Sequence, residues 1–165
     1  MIIEFTVGNF KSIKNKQTLS MVATDSHEME QNCFEVNVPG MKNMRLLKSA
    51  AVIGANGSGK SSLVQAMIFM RQFVLSGAQD HDPFSVIPYY PFSLDAKTAQ
   101  KPSFFEIIFI HDKVRYQYGF TLDFDTVYEE WLYAFPKGVS QLYFYRVLKE
   151  DEEDDYQFKF GTALK

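Results

Sequence analysis

The feature that most constrains the fold is the stretch AAVIGANGSGKSSLVQAM, residues 50–67. A short apolar run gives way to three glycines, a lysine and three serines, and a helix-like pattern then resumes. Gly54, Gly59, Lys60 and Ser61 match the spacing G-x-x-x-x-G-K-[ST], which is the P-loop. At average composition this pattern arises by chance in about one in a hundred chains of this length or fewer. It therefore favours a phosphate-binding loop over an ordinary glycine-rich turn.

The chemistry of a triphosphate explains the residue types in this loop. Backbone that wraps closely around phosphates needs residues that tolerate positive φ and carry no obstructing side chain, hence the three glycines. The free N–H groups and the dipole at the start of the next helix would face the same phosphates. Lys60 would reach the β- and γ-phosphates, and the Ser61 hydroxyl would bind Mg²⁺. The sequence thus predicts ATP and Mg²⁺ as ligands, held by Gly54, Ala55, Asn56, Gly57, Ser58, Gly59, Lys60, Ser61 and Ser62.

Length and composition bound the class of protein. A chain of 165 residues has room for one ordinary domain, and 46% hydrophobic with 22% charged residues is typical of a soluble globular protein. The net charge of -3 gives no argument for DNA binding. Cys33 is the only cysteine, which excludes an intrachain disulfide and favours the cytoplasm. No apolar run approaches the roughly 18 residues of a membrane span, so we expect no membrane partner.

Hydrophobic patterns predict the elements of the first half. Residues 2–10 and 17–23 are predicted strands, and residues 24–45 a polar, Met-rich loop. The continuous apolar end of 46–53 predicts a strand buried on both faces, as in a parallel sheet. Residues 59–75 have apolar side chains almost all round, which predicts a buried helix ending at Gly77.

The second half of the chain has a different sequence pattern, with a proline-rich segment followed by strand-like alternation. Four prolines predict irregular structure over 78–103. Strict alternation over residues 114–124 predicts a half-buried strand, which forms a hairpin with FFEIIFI before it. VYEEWLY predicts a third strand, and LYFYRVL and YQFKF a further hairpin around the acidic KEDEEDD. The predicted fold class is α/β, a P-loop NTPase with an antiparallel β-meander after the P-loop helix.

Two segments carry a resemblance to a known group of proteins. GANGSGKSS resembles the P-loop of ABC-type ATPase heads of the RecF/SMC group, and IIEFTVGNFKSI resembles that group's opening strand and turn. More narrowly, QTLSMVA, PFSLD and FEIIFI…YQYGF…EEWLY are similar to the N-terminal part of RloA-type predicted ATPases. The resemblance covers nearly the whole chain, and the P-loop is its most specific element.

The resemblance implies a single incomplete ATPase head over 1–165, made of 1–77, a connector 78–103 and an antiparallel β subdomain 104–165. Such heads form homodimers around two ATP molecules. The group serves phage defence or DNA transactions, often beside a nuclease or toxin partner. By the match to its Asn-Phe-Lys-Ser turn, Asn9, Lys11 and Ser12 become secondary nucleotide-site candidates.

Hydrolysis in that group needs an acidic Walker B strand and a Ser-Gly signature loop, and this chain offers only imitations. LSGAQ, residues 75–79, closes the P-loop helix instead of opening a new one. Asp112 follows an apolar strand, but the next residues turn straight back as a hairpin. Glu129 and Glu130 are interpreted as strand-surface charges. The catalytic residues are therefore unknown, and the chain alone is expected to hydrolyse ATP near background.

Other residues suggest no chemistry of their own. His27, His81, His111 and Cys33 have no metal-binding spacing. The Phe and Tyr stripes are interpreted as core and sheet face, not as a base-stacking platform. Two alternatives to the ATPase head stay open. One is a non-enzymatic interaction module. The other is a small-molecule P-loop kinase, against which stands the lack of an Arg-rich lid.

Overall fold

The computed structural model of the chain describes residues 1–26, 28–77, 89–149 and 155–162. Its helices are α1 and α2, and a 3₁₀ helix spans Glu30–Asn32. The elements in chain order are β1 (Ile2–Gly8), β2 (Gln17–Ser20), β3 (Cys33–Val38), β4 (Met41–Leu47), α1 (Lys60–Gly77), α2 (Ala96–Ala99), β5 (Ser103–His111), β6 (Val114–Leu122), β7 (Val127–Ala134), β8 (Gln141–Leu148) and β9 (Tyr156–Phe160).

Seven strands form one antiparallel sheet in the order β2-β1-β5-β6-β7-β8-β9. The chain enters on β1 and β2, leaves the sheet, and returns on β5 beside β1 before completing a simple meander. β5 and β6 pair over their whole length, from Ser103 opposite Leu122 to His111 opposite Val114. The predicted meander is therefore confirmed, and its strands begin and end within a few residues of the predicted bounds.

The main core lies between α1 and one face of this sheet. Period-two alternation brings Phe105, Phe120 and Leu122 to the same face, where all three are fully buried. α1 covers them with Phe69 and Met70. Burial of this face ties the helix that follows the glycine-rich loop to the centre of the sheet.

The predicted loop over 24–45 is wrong, because this region contains β3 and most of β4. The two strands form an antiparallel hairpin around Gly40. Val36 and Val38 point to one side of it and are buried against Ile3 and Ile110, on the sheet face opposite α1. β3 has two buried residues and β4 only one, Leu46, so the alternation was too short to stand out among the polar residues and methionines.

The predicted buried strand over 46–53 is also wrong. β4 ends at Leu47, and residues 48–59 lie outside the helices and strands. Ile53 is 91% exposed. Residues 48–53 are all exposed, and every strand pairing within the described ranges is antiparallel, so the predicted strand of a parallel sheet is not found there.

Helix α1 is confirmed over Lys60–Gly77, but it is not buried all round. One face packs on the sheet, while Val64, Ile68, Val74 and Leu75 are exposed. Beside the helix an apolar groove of about 1240 Å³ continues over the sheet to Phe158 and Phe160 on β9. No helix among the described residues has the length and apolar character needed to cross a membrane.

Candidate functional site

The glycine-rich loop leads directly into the first residue of α1, which is Lys60. The Lys60 ammonium donates hydrogen bonds to the carbonyl oxygens of Gly54 and Ala55, both at 2.7 Å. The Ser58 amide donates to the carbonyl oxygen of Ala55 at 3.2 Å. The loop is therefore curled around the lysine head group at the N-terminal end of the helix.

Two glycines give this loop the conformation and the space that a phosphate chain needs. Gly57 has φ +80° and Gly59 has φ +94°, which is backbone that residues with a side chain rarely adopt. A Cβ built on Gly57 would meet nothing within 4 Å. The Ser61 side chain belongs to an exposed residue at the same helix end. Open backbone, a lysine and a free serine hydroxyl fit a nucleotide triphosphate with Mg²⁺.

The turn after β1 packs against the start of α1. Phe10 and Ile13 exchange backbone hydrogen bonds of 2.9 and 2.8 Å around a tight turn, in which Lys11 has φ +50°. At its tip, Ser12 Oγ lies 2.7 Å from Ser62 Oγ. The Lys11 ammonium donates to Gln65 Oε1 at 2.8 Å, one helical turn further along α1. Two of the secondary candidates therefore contact the helix that carries the P-loop.

Asn9 has a different position from the other two. Its buried side-chain amide donates to the carbonyl oxygens of Lys101 and Pro102, and its Oδ1 accepts from the Phe92 amide at 2.9 Å. These bonds tie two distant segments of the connector to the turn. Backbone groups use the hydrogen-bonding capacity of this side chain, so Asn9 links the turn after β1 to the connector. No local sequence pattern could show this role.

A charged contact supports the same connector. Lys14 forms an ion pair of 2.5 Å with Asp95, whose carboxylate also accepts from the Lys97 and Thr98 amides as the N-cap of α2. The hydrogen bond from Lys14, and then that from Thr98, hold the pKa of Asp95 below its usual range. Contacts at Phe92, Asp95 and Lys101 thus hold the described part of the connector against the turn.

We expect Gly59→Ala to destabilise the chain more than Gly57→Ala. Both positions have positive φ, so each alanine costs about 1–2 kcal/mol of strain. At Gly59 the new Cβ would also lie 3.3 Å from Ser12 Oγ, which is held by its hydrogen bond to Ser62. Moving that hydroxyl adds about 1 kcal/mol. Urea unfolding measures the difference between the two glycine variants. It should disappear when both are made in a Ser12→Ala background, and equal losses at the two glycines in the parent would refute this contact.

The acidic candidates lie away from the loop or have other partners. Asp112 sits in the exposed two-residue turn between β5 and β6 at φ +48°, as the hairpin prediction required. The other end of β5, at Ser103, bonds the Asn9 carbonyl beside the P-loop. The strand is nine residues long, which puts its two ends about 26 Å apart. Asp112 is therefore remote from Ser61.

Glu130 is not the surface charge that the sequence suggested. Its side chain is only 16% exposed and forms a 2.7 Å ion pair with Arg146. It also accepts a 2.7 Å hydrogen bond from the Tyr118 hydroxyl. Burial, and then the Glu130 charge, raise the pKa of Tyr118. This network lines the apolar groove on the α1 side of the sheet, and Glu129 lies on the opposite face of β7.

The remaining sequence candidates add no metal site. His111 is exposed beside Asp112, and Cys33 is a free thiol. Within the described ranges, no three His, Cys, Asp or Glu side chains are grouped to hold a metal ion. His27, His81 and the acidic residues 150–154 lie outside the described residues, as does the end of LSGAQ beyond Gly77.

One protein-family model matches most of the chain. The family model described as "AAA domain, putative AbiEii toxin, Type IV TA system" matches residues 49–165, about 70% of the chain, and begins just ahead of the P-loop. Among curated proteins no match to the chain is found.

Proposed function

Since this chain belongs to the AAA-domain family that matches residues 49–165, we propose that it is the ATP-binding part of an ABC-type ATPase head. In this proposal the head is of the RecF/SMC kind and works as a nucleotide-driven dimerisation switch. Membership of the family makes the chain a P-loop ATPase domain. The RecF/SMC head type and the dimerisation switch go beyond family membership and are part of the proposal.

The observation that carries the proposal is the closure of the loop on Lys60. Two loop carbonyls at 2.7 Å hold the ammonium at the first residue of an 18-residue helix. A lysine held this way is surrounded by backbone at the positive end of the helix dipole. The ammonium is thereby held at the point where the phosphates would lie.

Five residues of the loop then have specific roles in holding the ligand. Gly57 and Gly59 let the backbone approach the phosphates, and Lys60 neutralises charge on the β- and γ-phosphates. Ser61 would hold Mg²⁺, which would neutralise charge on the phosphates. Ser62 and Ser12, joined by their hydroxyls, hold the turn after β1 against the end of the cradle. Lys11 adds a second positive charge on the same side of α1.

The biological setting is proposed from two sources. The family description names a toxin and a type IV toxin–antitoxin system, and the sequence resembles phage-defence ATPases. We therefore place the head in phage defence, with a toxin or nuclease as its partner. Its ATP-dependent association would be the signal passed to that partner.

The switch predicts nucleotide-dependent self-association. Sedimentation velocity of the chain with Mg²⁺ and a slowly hydrolysed ATP analogue should show a larger species than without nucleotide. Lys60→Ala should stay at the nucleotide-free value, since its dimer would lack the bridging ligand. An unchanged sedimentation coefficient in the parent, at nucleotide concentrations that fill the site, would contradict the switch as a property of this chain.

A protein-binding module is the second candidate, and one feature favours it. The groove beside α1 is apolar and larger than a typical small-molecule pocket of about 300–1,000 Å³. Exposed apolar side chains of α1 and β9 line it, and contiguous exposed apolar surface is found at interaction sites. Binding of the toxin partner that is lost in Phe158→Asp but unchanged in Lys60→Ala, with and without ATP, would favour this function over the switch.

A further inference from the structure

Tyr90 lies beside the turn after β1 with 51% of its surface exposed. Its backbone carbonyl accepts a 2.7 Å hydrogen bond from the Lys11 amide. The Lys11 ammonium lies 4.7 Å from the centroid of its ring, and the Phe10 ring meets it edge-on at 6.5 Å. The ring is therefore fixed on its protein side and open on the other.

Packing of the core does not account for this ring. The preceding residue, Tyr89, packs against the main core, and its hydroxyl donates to the Lys101 carbonyl at 2.7 Å. Tyr90 instead belongs to the exposed hydrophobic residues. A large aromatic ring that is held in place yet left in water is suited to a ligand with a flat apolar face.

The ring stands close to the end of the P-loop. Lys11, which lies over it, also donates to Gln65 on α1. Gln65 is four residues after Ser61, so the two share one face of the helix, about 6 Å apart along its axis. The neighbouring Ser12 reaches Ser62. A nucleotide whose phosphates lie in the loop 54–62 would bring its sugar and base out on this flank.

We propose that Tyr90 is the base platform of the site, a residue on whose exposed face the nucleobase of the bound nucleotide stacks. The inference rests on the proposed nucleotide site and adds a specificity determinant to it. Lys11 keeps the ring in position from one side through its cation–π contact and its bond to Gln65. Stacking tolerates any base, so the platform selects nucleotides over bare polyphosphates and does not distinguish adenine strongly from guanine.

This platform differs from the one that the sequence argued against. The aromatic stripes of the strands do form the core and the sheet faces, with Phe105 and Phe120 fully buried. Tyr90 belongs to no stripe. It lies in the connector, and the fold brings it next to Lys11 and Phe10 of the turn after β1.

The test compares two ligands in the whole chain by calorimetry with Mg²⁺ present. ATP carries a base, and methyl triphosphate carries the same phosphate charge without sugar or base. We expect the parent to bind ATP about tenfold or more tightly than methyl triphosphate. Tyr90→Ala should weaken ATP binding by about tenfold and leave methyl triphosphate unchanged, while Tyr90→Phe should stay near the parent. Leu94→Ala, at another exposed apolar residue of the connector, is the matched control and should change neither affinity.

The same titrations distinguish a failure of the Tyr90 platform from a failure of the nucleotide site in the loop 54–62. Equal affinity of the parent for both ligands would overturn the platform and leave the loop intact. So would an equal loss of both affinities in Tyr90→Ala, or an unchanged ATP affinity in that variant. If the parent binds neither ligand, the nucleotide site itself is wrong, and the platform is wrong with it.

Discussion

Replacing Phe105 with alanine is expected to lower the free energy of unfolding by about 4 kcal/mol. The side chain is fully buried at the centre of the core. Its ring lies 5.4 Å from Phe10, 4.9 Å from Phe69 and 5.2 Å from Phe120, measured between centroids. It thus joins the turn after β1, the helix α1 and the strand β6. Because the turn after β1 and the start of α1 meet at the P-loop, the loss also removes support from the site.

Urea unfolding followed by circular dichroism measures this change. Phe124→Ala is the matched control, because Phe124 is 56% exposed in the turn between β6 and β7. We expect it to cost less than about 0.5 kcal/mol. Similar losses in the two variants would mean that the core is not centred on Phe105.

Lys60→Ala is expected to lower the affinity for Mg-ATP about a hundredfold, with no loss of folded structure. The variant removes charge-assisted contacts to the β- and γ-phosphates, each worth about 1.5 kcal/mol or more. In the nucleotide-free chain the Lys60 ammonium bonds loop carbonyls and not the core. The circular dichroism spectrum and the urea midpoint should therefore stay close to those of the parent.

Calorimetric titration with ATP in the presence of Mg²⁺ gives the two affinities. Lys42→Ala serves as the control, since Lys42 is an exposed lysine on the β3–β4 hairpin. It removes the same charge from the chain and should bind as the parent does. Parent-like affinity in Lys60→Ala would refute the assignment of the loop, and a loss in Lys42→Ala would point to a general charge effect.

The parts of the fold that the sequence predicts are those with a long repeating pattern. Residues 114–124 alternate over eleven positions, and α1 extends over 18 residues. Such lengths leave little doubt between helix and strand. The β3–β4 hairpin was missed because Val36 and Val38 are its only buried positions on β3. Residues 46–53 misled because their apolar run predicts burial, whereas residues 50–53 form an exposed segment that leads into the glycine-rich loop.

Of the candidate site, likewise, only the part that forms a local motif could be predicted from the sequence. The loop 54–62 is local in sequence, so its motif could be read directly. The positions of Tyr90 and Asn9 depend on contacts between residues far apart in the chain, such as the bond from the Phe92 amide to Asn9. The burial of Glu130 depends likewise on Arg146 from the next strand. The spacing of residues in the sequence does not show which distant residues will contact each other in the fold.

The most direct test of the account is a site-resolved titration of the ¹⁵N-labelled chain with Mg-ATP, followed by its amide resonances. We predict that the largest shifts fall on residues 54–62, with smaller ones at Lys11 and Tyr90. The Asp112–Lys113 turn, at the far end of β5, should not respond. Shifts confined to the groove near Phe158 and Phe160, or no shifts at saturating ATP, would contradict the claim that this loop is a nucleotide site.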